Sequence, residues 1–376
     1  MSNKKINNIG YRPTWAEVDL NNLAHNFYSI KRLSSSKVKV MVTVKADAYG
    51  HGLIPVSKRL VSCGVDYLGV ASIDEGIVLR KAGLTKPILV LGHVLERDIA
   101  PIFDYRLTQT VSTLELAKAL GKKACSLNKP VNVHIKVDTG MGRLGVLHHE
   151  ALRLVERVRL IKGVRIEGIF THLAIAETNE DFTHYQIDAF NALITGLAKE
   201  GIRIPLIHAA NSMGAIGYSL SHFNMIRPGL AIYGLYPKEN LSIHLKPVLS
   251  LKTKVIYTKK VPQSYGISYG HEYITKSPTR IVILPIGYGD GYPRHLSNQG
   301  PVLIKGKLFR ISGRVCMDQM MCDVHDADIK VGDEAVLIGA QGAKRITAEE
   351  LAVLCSTIPY EIVCGLGSRI PRIYIK

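Results

Sequence analysis

Val38–Val44, VKVMVTV, is a short, largely β-branched run that leads straight into Lys45 and the glycine-containing turn ADAYGHG over residues 46–52. Seven residues of this composition, closed by turn-formers, have the length of a strand rather than of a buried helix. The same rhythm recurs outward along the chain, in Tyr67–Ala71, Ile88–Leu91, Gln109–Ser112, Val131–Val137, Ile166–Thr171, Leu206–His208 and Met225–Ile226. Stretches of helical period lie between them, notably Ile54–Cys63, Leu114–Cys125, Glu150–Leu160 and Phe182–Lys199. Strands that alternate with helices imply parallel pairing with helical crossovers. Eight such units closing on themselves give an α/β fold with an N-terminal (β/α)8 barrel of the TIM type; an open doubly wound sheet is the alternative.

Beyond about residue 245 the helical periods nearly vanish. Val248–Tyr257, Thr279–Pro285, Val302–Ile304, Lys307–Ser312 and Glu334–Ile338 read as strands divided by Gly, Pro and Asp turns. The expected division is therefore a barrel over residues 1–245 and a mostly β C-terminal domain over residues 246–376. The early run Thr14–Leu20 has no place in the barrel, so residues 11–20 are a candidate to pair with the C-terminal domain.

The composition narrows the function. With 47% hydrophobic and 21% charged residues in 376, the chain has the make-up of a folded globular protein rather than a disordered or fibrous one. The longest apolar runs, such as Ile281–Ile286, are far shorter than a membrane span, and residues 1–10 lack the apolar stretch of a secretory leader, so a cytoplasmic protein is expected. The net charge of +17 raises nucleic acid as a partner, but the excess is spread along the chain with no basic tail and no aromatic–basic interleaving, so neither nucleic acid nor membrane is expected to bind. Six cysteines without C-x-x-C spacing read as free thiols, and no metal is expected.

In a barrel of this kind functional groups gather just after the strand C-termini. Lys45, Arg143, His172, Asn211, Ser212 and Arg227 all fall at such positions on different strands. A lysine that ends an apolar strand is unusual, because its ammonium prefers water; partial burial lowers its proton affinity and frees the amine to form a Schiff base.

The context of that lysine, VKADAYGHG over residues 44–52, resembles the cofactor-lysine motif of the alanine racemases, fold-type III enzymes dependent on pyridoxal phosphate. Further matches follow in family order: KVDTGMGRLG from Lys136, FTHLA from Phe170, HAANS from His208, RPGLAIYG from Arg227, GISYG from Gly266, GYGDGYPR from Gly287, GRVCMDQ from Gly313 and TIPYE from Thr357. The likeness runs from about Trp15 to the C-terminus. It implies the same two-part architecture and the interconversion of L-alanine and D-alanine for peptidoglycan.

Racemisation needs a carbanion-stabilising cofactor and a base on each face of the substrate. The resemblance implies pyridoxal 5'-phosphate held covalently by Lys45, which then serves as the base on one face, with Tyr269 on the other. His172 is implied as the partner of Tyr269 and, in turn, of Arg227. Arg227 is implied against the pyridine nitrogen, where a guanidinium can only donate and so keeps that nitrogen unprotonated. Tyr49, Ser212, Gly229, Leu230 and Tyr360 correspond to phosphate ligands. Arg143 and the backbone N–H of Met317 correspond to substrate-carboxylate ligands. Lys136 matches a lysine that is carbamylated in some members and that, unmodified, would repel Arg143. Glu177, Tyr288, Arg294, Arg314 and Ile358 correspond to the entry path, with Glu177 standing where aspartate is common. Tyr269 and Met317 are implied to come from a second subunit, which predicts a homodimer with shared sites.

Three competing readings remain at the level of sequence. One is a racemase of serine, lysine or a broader amino-acid range, or a decarboxylase or aldolase of the same fold type; Tyr269 and Arg227 speak against the decarboxylases. Another is a cofactor-carrying binding protein of the single-barrel type, against which the C-terminal domain counts. The third makes Cys316 a thiol nucleophile, for which no histidine partner is evident.

Overall fold

The computed structural model describes residues 11–376. The first ten residues, read above as lacking a leader's apolar stretch, lie outside the described residues. The chain opens with β1 (Thr14–Asp19) and α1 (Leu20–Lys31), whose N-cap Asp19 accepts the Asn21 and Asn22 N–H groups. The barrel follows: β2 (Lys39–Thr43), α2 (Leu53–Ser62), β3 (Tyr67–Val70), α3 (Ile73–Lys81), β4 (Ile88–Val90), α4 (Ala100–Asp104), β5 (Thr108–Val111), α5 (Leu114–Leu127), β6 (Val131–Asp138), α6 (Ala151–Val158), β7 (Val164–Phe170), α7 (Glu180–Lys199), β8 (Leu206–His208), α8 (Ser212–Gly217) and β9 (Met225–Ile226). Each of the eight runs anticipated for the barrel is a strand, and all pair in parallel in the order β9-β2-β3-β4-β5-β6-β7-β8. The open doubly wound alternative is set aside, because the two end strands return to each other.

That return is made largely by one residue. Between β8 and β9 the Asn224 N–H donates to the Ile207 carbonyl (3.3 Å) and the Arg227 N–H to the Ala210 carbonyl (2.9 Å). The Asn224 carboxamide then behaves as an extra peptide unit. Its Oδ1 accepts the Ile207 N–H (2.7 Å) and its Nδ2 donates to the Pro205 carbonyl (2.8 Å), while the Asn224 carbonyl accepts from Lys39 of β2 (2.9 Å).

The strands are buried on both faces, so their apolar residues divide between two cores. Val40, Val42, Leu68, Val70, Ile88, Val90, Val133 and Ile135 belong to the large core that meets the helices. Met41, Tyr67, Leu89, Phe170, Leu206 and Met225, from six different strands, form a small separate core inside the barrel.

The remainder is β-rich: β10 (Leu249–Lys254), β11 (Tyr257–Val261), β12 (Thr279–Leu284), β13 (Pro301–Ile304), β14 (Lys307–Arg310), β15 (Met320–His325), β16 (Glu334–Gln341), β17 (Lys344–Ile346), α9 (Ala348–Leu354), α10 (Pro359–Cys364) and β18 (Arg372–Ile375). One sheet runs β14-β13-β16-β10-β1-β18 with β17 against β16, and a second runs β11-β12-β15. β1 lies antiparallel to β10 (Ala16 opposite Leu251) and parallel to β18 (Val18 opposite Tyr374). The single strand anticipated over Val248–Tyr257 is two. The chain leaves the first sheet after Lys254 and enters the second at Tyr257, and the buried Val255 between them shields the crossing.

Replacing Asn224 with alanine removes two side-chain hydrogen bonds and leaves the Ile207 N–H unmatched. The expected loss is about 2 kcal/mol, at roughly 1 kcal/mol per bond. It is read as a lower urea midpoint at unchanged slope; a midpoint equal to that of the unaltered chain would show that the barrel closes without this residue.

Candidate active site

Side-chain alternation explains why groups from distant parts of the chain converge. Met41 and Phe170 point into the barrel, so Thr43 and Lys45, two and four residues beyond Met41, and His172, two beyond Phe170, continue the inner face. On β6 the apolar Val131, Val133, Ile135 and Val137 face the helices, which leaves His134 and Lys136 inside. His208 and Arg227 follow the inner-facing Leu206 and Met225 by two residues. At the strand C-termini Thr43, Lys45, Lys136, His172 and Arg227 line a cavity of about 250 Å3 with Tyr49, Arg143, Ser212, Gly229, Leu230 and Tyr360, while His134 and His208 lie beneath it.

Lys45 enters the cavity because the backbone beyond it reverses hand. Ala46, Asp47, Ala48 and Tyr49 have φ of 52°, 53°, 53° and 55°, a left-handed turn that ends at Gly50 with φ 76°. Such a conformation costs about 1–2 kcal/mol for each non-glycine residue, so the surroundings must hold it. They do so through the Asp47 carboxylate, which accepts the Leu53 N–H (2.7 Å), through the Ala46 carbonyl, which accepts the Gly50 N–H (2.9 Å), and through Glu75, whose carboxylate accepts the Ala46 N–H (2.6 Å). A side chain at position 50 would collide with the Val363 carbonyl, so glycine is required there. Burial, and then the nearby Arg143, lower the proton affinity of the Lys45 amine.

Arg227 is buried and has no carboxylate partner. Its guanidinium donates to the carbonyls of Thr171 (2.8 Å) and Ala209 (3.0 Å), to His208 Nδ1 (3.1 Å) and, at 3.4 Å, to His172 Nδ1. Because an arginine only donates, both histidines accept at Nδ1 and carry their proton on Nε2. His208 Nε2–H then donates to His134 Nδ1 (2.8 Å), which turns the His134 Nε2–H toward Glu167 Oε2 at 3.6 Å, just outside hydrogen-bond reach. The Tyr67 hydroxyl completes the line with a 2.6 Å bond to the same Glu167 oxygen. Burial lowers the proton affinity of His134, and burial with the neighbouring cations holds His172 and His208 well below the usual histidine range, so all three are neutral at pH 7. Phe170 stacks on the His208 ring at 4.8 Å.

Opposite lie the hydroxyl and amide groups. Ser212 Oγ accepts the N–H groups of Gly229 (3.0 Å) and Ala231 (3.2 Å). Tyr49 is packed between Tyr233 and Tyr360, with ring centroids 4.7 and 5.8 Å away, and burial raises both cavity phenols, Tyr360 to about 12, so that each remains a hydroxyl donor. A Cβ at Gly229 would come within 2.5 Å of the Tyr49 hydroxyl, so only glycine allows the backbone this close.

Arg143 is carried on a loop organised by Asp138. One carboxylate oxygen accepts the N–H groups of Gly140 and Met141 (2.8 Å each), and the other that of Gly142 (2.9 Å). Burial pushes this carboxyl up, but the three amides and Lys136 outweigh it and hold it below the usual range. The Lys136 amine is buried without a hydrogen-bond partner, 4.7 Å from the Phe170 ring centre. Burial, followed by Arg227 and Arg143, lowers its proton affinity strongly, which weakens the anticipated repulsion between Lys136 and Arg143. The cavity thus holds four basic groups, Lys45, Lys136, Arg143 and Arg227, and no carboxylate among its lining residues. An anion fits it.

Two further groups of anticipated residues are placed differently. Tyr269 and Met317, 70% and 53% exposed, line a separate surface hollow with Ser268, Cys316 and Asp318 that shares no residue with the barrel cavity. Arg314 stands beside them, paired with Glu272 and linked through its carbonyl to Ser268 Oγ (2.8 Å). Tyr288 joins the same group, because its N–H donates to the Cys316 carbonyl (3.0 Å), and Arg294 lies close enough for its charge to act on Glu272. Glu177, whose carboxyl burial pushes up, stands on the barrel side within electrostatic reach of Tyr360, and Ile358 is exposed two residues before that tyrosine. Within one chain Tyr269 therefore meets neither His172 nor Lys45. His134, Glu167, Tyr67 and Glu75 escaped the sequence reading. The alternation of VNVHIKVD over residues 131–138 was the available signal for His134, since a polar residue at every second position of a barrel strand implies a polar interior.

Comparison with known proteins agrees with this arrangement. Residues 18–237 match the family model described as alanine racemase, N-terminal domain, and residues 248–374 that described as alanine racemase, C-terminal domain. An alanine racemase of Halothermothrix orenii is 49% identical over 99% of this chain and 98% of its own length, and one of Carboxydothermus hydrogenoformans is 44% identical over 97% and 100%. Among solved structures, alanine racemase of Clostridium difficile 630 superposes with a TM-score of 0.93 at 38% identity, covering 97% of this chain and 96% of that one. Alanine racemase of Bacillus anthracis, solved with bound L-Ala-P, gives 0.91 at 37% identity with 97% and 96% coverage. The chain belongs to the alanine racemase family of isomerases.

Proposed function

We propose that the protein interconverts L-alanine and D-alanine with pyridoxal 5'-phosphate, and so supplies D-alanine to peptidoglycan synthesis. The observation that carries this reading is the set of four basic groups, the Lys45 amine among them, in a cavity with hydroxyl and amide donors on the opposite side and no carboxylate on its wall. A phosphate ester on a conjugated aldehyde matches that set. Tyr49, Ser212, Gly229, Leu230 and Tyr360 would hold the phosphate, Lys45 would make the covalent link, and Arg227 would donate to the ring nitrogen. The cofactor, when bound, supplies the electron sink that acidifies the substrate α-carbon.

The chain's own groups do the rest. Arg227, fixed by two carbonyls and two neutral histidines, has no proton to accept and none to lend at neutral pH, so the ring nitrogen stays unprotonated. Such a contact would keep the group a weaker electron sink and so favour return of the proton over side reactions. Arg143, steadied by the Asp138 turn, binds the substrate carboxylate, and the Met317 N–H shares it. Lys136 orients Arg143, as the carbamate of the resemblance or as the neutral amine that burial favours. Lys45 Nζ takes or returns the α-proton on one face, and Tyr269 Oη on the other, with His172 behind the phenol. Tyr288, Arg294, Arg314, Glu177 and Ile358 restrict entry and favour a substrate as small as alanine. The separation of the Tyr269 and Met317 hollow from the barrel cavity supports completion of each site by a second copy of the chain, in a two-fold homodimer.

Two measurements follow. Purified protein loaded with pyridoxal 5'-phosphate is expected to convert L-alanine to D-alanine, followed with a D-amino-acid oxidase, and Lys45→Ala to lose at least about a thousandfold of that rate; absence of D-alanine from the loaded, unaltered protein would sink the reading. The divided site is tested by mixing two inactive variants, Lys45→Ala and Tyr269→Phe, through dissociation and reassociation. A mixed dimer rebuilds one intact site of two, and mixed dimers make up half of a random population, so about a quarter of the unaltered activity is expected to return. No recovery in a demonstrated mixed dimer would place Lys45 and Tyr269 in the same subunit's site.

A further inference from the structure

Among the described residues, the left-handed turn after Lys45 is the most improbable piece of backbone, with four consecutive non-glycine residues at positive φ. Beside the bonds within the turn and the one from Leu53 to Asp47, its relaxation is opposed by a side chain from the next βα unit. Glu75 lies in the first turn of α3, where its own N–H meets the N-cap Ser72 Oγ. Its two carboxylate oxygens reach in different directions: Oε1 accepts the Ala46 N–H at 2.6 Å, and Oε2 accepts the Ala71 N–H at 2.7 Å, at the end of β3. One carboxylate thereby ties the first amide of the turn to the neighbouring strand end.

We propose that Glu75 is a positioning residue for Lys45, whose carboxylate clamps the left-handed turn against the end of β3 and so presents the lysine amine to the cavity. The inference rests on the reading of Lys45 as the cofactor lysine. Bonds from ionised acceptors are the strong kind, and this one anchors the turn at the residue that immediately follows the reactive side chain. Glu75 also sets the charge around the amine. The groups whose charge bears on Lys45 are Arg143, which disfavours its protonation with burial on the same side, and Glu75 and Cys364, which favour it. His172 lies within electrostatic reach of Lys45 but is itself held neutral. Asp47, next but one in the turn, is engaged with the Leu53 N–H. Removal of the Glu75 charge therefore leaves the amine with less affinity for a proton, while removal of its oxygens loosens the turn. The two effects are separable.

The test uses the full-length protein without cofactor, as the unaltered chain, Glu75→Ala, Glu75→Gln and the control Ser72→Ala. Hydrogen exchange over residues 44–52 reads the clamp. Capture of pyridoxal 5'-phosphate by Lys45 reads its consequence: the amine adds to the aldehyde carbon, one water leaves, and borohydride trapping with mass analysis of the Lys45 peptide gives the rate across a pH series. The clamp predicts amide exchange in this segment about tenfold faster in both Glu75 variants, and a several-fold lower capture rate on the alkaline plateau, where the amine is fully free. The charge predicts a capture midpoint shifted to lower pH by about half a unit or more in both variants. A role confined to holding the fold would not move that midpoint, and Glu75→Gln, which keeps one acceptor oxygen, serves if Glu75→Ala does not fold. Ser72→Ala is expected to match the unaltered chain. Exchange and midpoint unchanged in both Glu75 variants would overturn the proposal, as would the same changes in Ser72→Ala, which would assign them to the start of α3. Failure of the unaltered chain to be trapped at Lys45 would instead overturn the reading of that lysine, with the exchange result still deciding on the clamp.

Discussion

Like charge without a counter-ion is the constraint around which this molecule is arranged. Two unit charges about 5 Å apart repel by roughly 3 kcal/mol at an effective dielectric constant near 20, and Lys45, Lys136, Arg143 and Arg227 share one cavity with no carboxylate on its wall. The chain relieves the repulsion in two ways. Burial lowers the proton affinity of Lys136 strongly and that of Lys45 as well. The histidines beneath them, His172 and His208, stay neutral for the same reason and can therefore accept from Arg227. What remains is a field that favours an anionic occupant.

The fold makes that arrangement affordable only because the barrel has two cores. The outer one, between strands and helices, is apolar and large. The inner one is a thin plug of Met41, Tyr67, Leu89, Phe170, Leu206 and Met225, above which the strand interiors turn polar. Arg227 can be buried there because Thr171 and Ala209, just beyond β7 and β8, leave two carbonyls free for it. The line Arg227, His208 and His134 then carries hydrogen-bond direction from the cavity into the plug, Arg227 fixing the tautomer of His208 and His208 that of His134. The C-terminal sheets contribute differently. They hold Tyr269 and Met317 outward on an exposed surface, where a residue of one chain is available to another.

Much of this was legible in the sequence, and the gaps have physical causes. The eight barrel strands stood out because both of their faces are buried, which leaves compact β-branched runs such as Val38–Val44 and Val131–Val137. Strands of the C-terminal region were harder. Tyr257–Val261 mixes polar and apolar residues because most of it is open to solvent, Met320–His325 carries the buried, hydrogen-bonded Asp323, and the change of sheet at Val255 and Ile256 leaves no composition signal. The lysine, arginine and serine positions of the cavity were found by their place after strand ends together with the family motifs. His134 and Glu167 were not, because their roles depend on which strand neighbours which. The left-handed turn over Ala46–Tyr49 was invisible for a similar reason, since neither alanine nor tyrosine favours that hand and only contacts such as those of Asp47 and Glu75 hold it.

The central claim is that the two faces of the substrate are served by different groups, Lys45 on one and Tyr269 on the other. The most direct test is the isotopic content of alanine at Cα during the first turnovers of the loaded protein in deuterium oxide, with product and remaining substrate separated by chirality. Two bases, each in exchange with solvent, predict that D-alanine formed from L-alanine carries deuterium from the first turnover. D-alanine that retains the original protium would mean that a single group carries the proton across, and deuterium in recovered L-alanine without any D-alanine would mean that the opposite face has no donor; either would contradict the account.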